Sequence, residues 1–185
     1  QWLRYLDYYA WLHEQLDASL ATILAALDQA GAYDDTIIIY TSDHGDNLFD
    51  HGLYYKGELY DTITHIPLMI KAPDAVEPGR IVSDIVSHVD VAQYILEKAG
   101  ADCVDLDGIS LAPVVEDGAK HTRAYAFAED GASGLRPEPD LIAMIRSETH
   151  KLVYFVGSEN GQLFDLTSDP KETRNLWSDP AHAAV

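Results

Sequence analysis

The sequence predicts an α/β fold from three features: a long helical repeat near its start, a β-branched apolar run behind it, and alternating strands and turns in its last third. Leu12, Leu16, Leu20, Ile23, Leu24 and Leu27 share one helical face within residues 3–30, and Gly31 stands where a helix-ending glycine belongs. The aromatics of this stretch and His13 read as packing residues. Ile37, Ile38, Ile39 and Tyr40 follow as a buried strand. Residues 67–71 form a short strand closed by Ala72-Pro73-Asp74, residues 81–86 another, and residues 90–99 a helix ended by Gly100. Residues 123–128 and 141–156 are strand candidates separated by a polar loop over 129–140. Asp107-Gly108 and Asp169-Pro170 mark turns.

Composition narrows the function classes. A chain of 185 residues, 47% of them hydrophobic, can bury a sizeable core and is neither disordered nor fibrous. It holds no apolar run long enough to span a membrane. The net charge of −19, from 31 acidic against 12 basic residues, disfavours nucleic acid and anionic membrane surfaces. Cys103 is the only cysteine, so no intrachain disulfide is expected, and the compartment is left open. The start, QWLRYLDYYAWLHEQLD, is unlike a signal peptide and lacks an initiator Met, which suggests a chain cut from something longer.

Chemistry concentrates where the Ile37 run ends in Ser42-Asp43-His44-Gly45-Asp46, with Lys56 twelve positions beyond His44. Open α/β sheets bind ligands at the C-terminal lips of their strands. A carboxylate and an imidazole side by side there can share a divalent cation, and Gly45 lets the backbone turn away without a Cβ clash. Lys56 adds a flexible ammonium able to reach an anion. The alternative for Asp43 is a simple turn in which its side chain bonds the backbone; for Lys56, it is a solvated loop lysine.

The surrounding residues favour the site. SDHGDNLFDHGLYYKGELYDTITHIPLMIKAP resembles the sulfatase branch of the alkaline-phosphatase superfamily, in its Asp-His form as in iduronate and choline sulfatases and phosphonate monoester hydrolases. YYAWLHEQLDASLATILAALDQAGAYDDTIIIYTSDHGD resembles the family helix that packs on the sheet and delivers this strand. SHVDVAQYILEKAGADCVDLDGISLAPVV is similar to a scaffold segment, with Ala92-Gln93 in place of the usual Pro-Thr. LFDLTSDPKETRNLW and IRSETHKLVYF look like the family's ending, where Asn175 and Leu176 anchor the tail.

The resemblance implies part of an alkaline-phosphatase-like α/β sandwich sheet over residues 1–120. A small C-terminal antiparallel sheet with a helix is implied over 121–185. It also implies a metal-dependent sulfuric ester hydrolase: Asp43 and His44 as ligands of a divalent metal, Ca²⁺ with Mn²⁺ or Zn²⁺ possible, and Lys56 as catalytic and anion-contacting residue. His65, in THIPL, either lines the pocket or is a hydrogen-bonded structural histidine. Tyr54 and Tyr55 are candidate sugar contacts or packing residues, Asp46 a loop carboxylate, and His51 a loop histidine near the site in sequence. His88, His121 and His150 carry no assigned role. The family's nucleophile is a formylglycine from a C-x-P/A-x-R motif, which ADCVDLD around Cys103 does not match. It is expected in a missing N-terminal part. The implied partners are a sulfated small molecule or sugar, the N-terminal half of the enzyme, or a second copy. The isolated chain is expected to be inactive; a phosphonate or phosphate ester hydrolase, and a fragment that docks with a partner chain, remain open alternatives.

Overall fold

Helix α1 (Trp2–Gln29) realises the leucine repeat and ends at Gly31, whose φ of +66° suits a residue without Cβ. Gly31 N–H bonds Asp28 O and Ala32 N–H bonds Leu27 O, the paired bonds of a Schellman stop. The computed structural model describes residues 2–102, 104–131 and 141–182; Cys103 and most of the loop expected over 129–140 lie outside them. No residue of α1 is buried: Leu20, Leu24 and Leu27 are half-covered, while Leu12, Leu16 and Ile23 face outward. Among the described residues no helix is long and apolar enough to cross a membrane.

Strand β1 (Ile38–Thr41) pairs antiparallel with β2 (Leu68–Lys71), Ile39 opposite Ile70 and Thr41 opposite Leu68. Lys71 closes the connection from α1 to β1, donating to the carbonyls of Tyr33, Asp34 and Thr36. The apolar face of this ribbon packs on α3 (His88–Lys98) and α4 (Ala112–Asp117) around Val91, Tyr94 and Leu111. The N-terminus of α3 carries a capping box in which Asp90 Oδ2 accepts Ser87 N–H at 2.8 Å. Asp90 is fully buried and is forked by Arg123, Nε at 2.7 Å and Nη2 at 2.5 Å.

The last third forms a four-stranded antiparallel sheet in the order β3 (Ala126–Gly131), β4 (Leu141–Arg146), β5 (His150–Phe155), β6 (Gly161–Asp165). Its core is Ile142, Met144 and Val153, joined by Leu59 from the chain just before α2 (Asp61–Thr64). A single 3-10 turn, Pro180–His182, closes the described chain.

Three expectations change. Residues 81–86 are not a strand: they join no ladder among the described residues, and they are held by Asp84 Oδ2 and Ile85 O, which accept from His121 N–H and Nδ1, and by Val86 packing on the Tyr94 cluster. Alternating apolar residues mark a strand only where a partner edge is available. The run 141–156 splits into β4 and β5 because Ser147 bonds back to His150 and closes a turn. Glu129 and Asp130, assigned to a loop, extend β3, where cross-strand partners Ala143 and Ile142 complete the ladder.

Candidate active site

The backbone leaves β1 at Thr41 and is held open at Ser42. Ser42 Oγ donates to His44 O at 2.8 Å, and His88, the first residue of α3, donates Nε2–H to Ser42 O at 2.9 Å. His88 received no role from sequence, yet it fixes the end of the strand from across the fold. Asp43 Oδ1 accepts the His44 N–H at 2.9 Å, the turn bond foreseen as the alternative, and this bond holds the Asp43 carboxyl below its ordinary value. Its other oxygen, Oδ2, remains 3.5 Å from His44 Nε2. One side chain therefore both closes the turn and presents an anionic oxygen.

The His44 ring has a defined orientation. Nδ1 lies 2.8 Å from Gly45 O, a carbonyl that can only accept, so the proton of the neutral ring is on Nδ1 and Nε2 carries the lone pair. Lys56 Nζ meets that lone pair at 2.6 Å. Gly45 is required for a reason different from the expected turn: a Cβ there would lie 2.0 Å from Thr62 O, and Gly45 N–H bonds Ile63 O at 2.9 Å. The glycine lets the Asp43–Asp46 segment lie directly on the backbone of α2.

The loop from Asp46 to Lys56 is braced from within. Asp46 Oδ1 accepts Leu48 N–H and Tyr55 N–H, and Oδ2 accepts the Tyr5 hydroxyl of α1, an interaction that pushes the Tyr5 phenol up to about 12. Leu48, Phe49, His51 and Tyr55 all have positive φ, a concentration of backbone strain typical of functional loops. Phe49 compensates by stacking on Trp2 at 4.8 Å, and His51 stacks on Tyr60 at 3.8 Å. Tyr54 is exposed and tilted against Phe49, while the Tyr55 ring lies 5.7 Å from Lys56 Nζ.

Sequence reading missed Asn47 and Thr62. Asn47 is 1% exposed, its Oδ1 accepting from Thr62 Oγ1 at 2.7 Å and its N–H bonding Tyr55 O. No local signal marks this pair, because it forms only when α2 folds onto the loop. His65 is the exposed C-cap of α2; among the described residues no hydrogen bond or ion pair joins its ring to Asp43, His44 or Lys56.

Asp43 and His44 present a carboxylate oxygen and an unprotonated nitrogen, a donor pair suited to a divalent cation. Such cations take about four or more ligands. Among the described residues no group of three or more His, Cys, Asp or Glu side chains converges. The pair fits as part of a ligand set.

The N-sulphoglucosamine sulphohydrolase C-terminal family matches residues 49–185. An N-acetylglucosamine-6-O-sulfatase of Bacteroides thetaiotaomicron is 31% identical over 173 residues, 91% of this chain and 31% of that protein. A structure solved in complex with its substrate, D-glucosamine-2-N,6-O-disulfate, superposes with a TM-score of 0.81 at 31% identity, covering 90% of this chain and 35% of that one. The phosphonate monoester hydrolase of Agrobacterium radiobacter gives a TM-score of 0.81 at 35% identity, over 92% of this chain and 36% of that one. The chain spans about a third of the length of the curated relatives it matches. With its β1–β2 ribbon backed by helices, its four-stranded C-terminal sheet and this match, the chain belongs to the sulfatase C-terminal family of the alkaline-phosphatase superfamily.

Proposed function

We propose that this chain is the C-terminal part of a metal-dependent sulfuric ester hydrolase acting on a sulfated sugar or small molecule. The observation that carries the reading is the convergence on one imidazole nitrogen: Asp43 Oδ2 lies 3.5 Å and Lys56 Nζ 2.6 Å from His44 Nε2. Asp43 and His44 hold a divalent cation, Ca²⁺ by the hardness of the carboxylate, with Mn²⁺ or Zn²⁺ as alternatives. When bound, the cation supplies charge stabilisation to the non-bridging sulfuryl oxygens. With the cation bound, Lys56 would give up its 2.6 Å contact with His44 Nε2 and direct its ammonium to one of the same oxygens, while the Gly45 carbonyl keeps the His44 proton on Nδ1 so that Nε2 is available as a ligand. His65 is a secondary anion contact in this reading, supported only by its place before the Ile66-Pro67 step. The remaining ligands and the formylglycine nucleophile come from an N-terminal portion, which covers the outward leucines of α1; the isolated chain is inactive.

A phosphonate or phosphate ester hydrolase is the second reading, favoured by the 35% identity to the Agrobacterium enzyme. Kinetics of the complete enzyme on an aryl sulfate and an aryl phosphonate separate the two. In the sulfatase reading the sulfate is preferred, Lys56→Met lowers kcat/KM by about 10²–10³-fold, and chelation abolishes turnover until Ca²⁺ is restored. Hydrolysis by the 185-residue chain alone, or its tight one-to-one binding of Ca²⁺, would sink the shared-site reading.

A further inference from the structure

Lys151 is the least expected group in the molecule: a lysine with 0% exposure, on β5 of the C-terminal sheet. Its Nζ is 2.5 Å from Asp61 Oδ1, 2.7 Å from Glu172 Oε1 and 3.0 Å from Leu59 O. Glu172, 3% exposed, returns its other oxygen to Asp61 N–H at 2.6 Å, the first backbone donor of α2. Arg146 of β4 reaches the second Asp61 oxygen at 3.3 Å. Three charged residues of the C-terminal sheet and its tail thus grip one end of a four-residue helix. The same helix sets Ile63 O and Thr62 O against Gly45 and Thr62 Oγ1 on Asn47, within the candidate ligand loop.

We infer that Lys151 is a positioning residue for the Asp43–His44 pair, acting through Asp61 and α2. A buried ion cluster is a poor source of net stability but a strong source of geometric definition, since losing one member strands the others without a partner. A four-residue helix cannot hold its own position. With Lys151 in place, α2 offers Gly45 and Asn47 a fixed floor, and the His44 ring keeps its orientation towards Asp43 and Lys56.

The inference rests on the hydrolase reading for its purpose but is tested apart from it. Ring-nitrogen NMR of the complete enzyme reports the His44 proton on Nδ1, with His121, whose buried ring bonds Ile85 O away from α2, as internal reference. Lys151→Met is expected to move or broaden the His44 signals, leave those of His121 in place, and weaken Mn²⁺ binding about 10–100-fold, as loss of an outer-shell partner does. Thr62→Val, outside the ion cluster, should act in the same direction and more weakly; if Lys151→Met does not fold, this variant and Lys151→Met/Glu172→Gln decide. Parental His44 signals in a folded variant overturn the inference, as does an equal displacement of His121, which would mean general loosening. A complete enzyme, N-terminal portion included, that binds no Mn²⁺ and splits no ester overturns the hydrolase reading alone, because the His44 signals judge the clamp in either case.

Discussion

His44 shows how little freedom the candidate site leaves a single residue. Its neighbour Gly45 takes the Nδ1 proton on its carbonyl while offering its own N–H to Ile63 O, so one peptide orients the ring and docks the loop. Adding one methyl group at Gly45 should therefore be felt strongly. The new Cβ would lie 2.0 Å from Thr62 O, a backbone atom that cannot swing aside. Gly45→Ala is expected to destabilise the protein by about 1–3 kcal/mol and to separate His44 from Lys56; urea unfolding and the His44 ring signals check the two effects. The identities of Asp43, His44 and Lys56 were legible in sequence because they lie within one short segment at a strand end. Asn47, Thr62 and His88 were not, since each works on a partner brought to it by folding, 46 residues away in the case of His88 and Ser42.

At the scale of elements, caps and ladders decided where the sequence pattern succeeded. The helix ended by Gly100 was readable from its period and stop signal, and its observed start at His88 follows from the Ser87–Asp90 capping box. Residues 81–86 have strand-like composition, but they are received by two bonds to His121 and by packing of Val86 on the Tyr94 cluster rather than by a ladder. Asp90 links these facts. It caps α3, accepts Ile109 N–H at 2.7 Å and binds the Arg123 fork. Its replacement by alanine would leave Arg123, whose side chain is 11% exposed, without its carboxylate. Asp90→Ala is expected to cost about 3–5 kcal/mol, whereas a cap alone accounts for about 1 kcal/mol; a loss near the smaller figure in urea denaturation would show that the ion pair contributes little.

Among the described residues two apolar clusters stand apart, and a buried ion cluster ties α2 to the second. One surrounds Tyr94 beneath the β1–β2 ribbon, and the other lies on the C-terminal sheet with Leu59; Asp61, Lys151 and Glu172 lie between α2 and that sheet. Burial alone would raise the Asp61 carboxyl, but Lys151 and Arg146 outweigh it and the net shift is downward; for Asp90, burial is likewise outweighed by Arg123 and two backbone N–H groups. Both carboxyls are depressed in the folded state, so their stabilisation is complete above the unfolded value of 3.8 and is lost as pH falls through it towards the lower folded values. The urea midpoint is expected to hold from about pH 7 to about pH 5 and to drop steeply below about pH 4. A midpoint that is flat down to about pH 3 would contradict these shifts. By itself the sequence determined the local elements with strong periods and stops and the family, and it marked Asp43, His44 and Lys56 as candidates, because these are written in contiguous residues. Only tertiary structure decided which ring nitrogen of His44 carries the lone pair, that Lys56 meets it, and that Lys151 and Glu172 grip Asp61 from 90 and 111 residues away. Those outcomes depend on side chains converging from separate elements, and no local pattern encodes the distance between them.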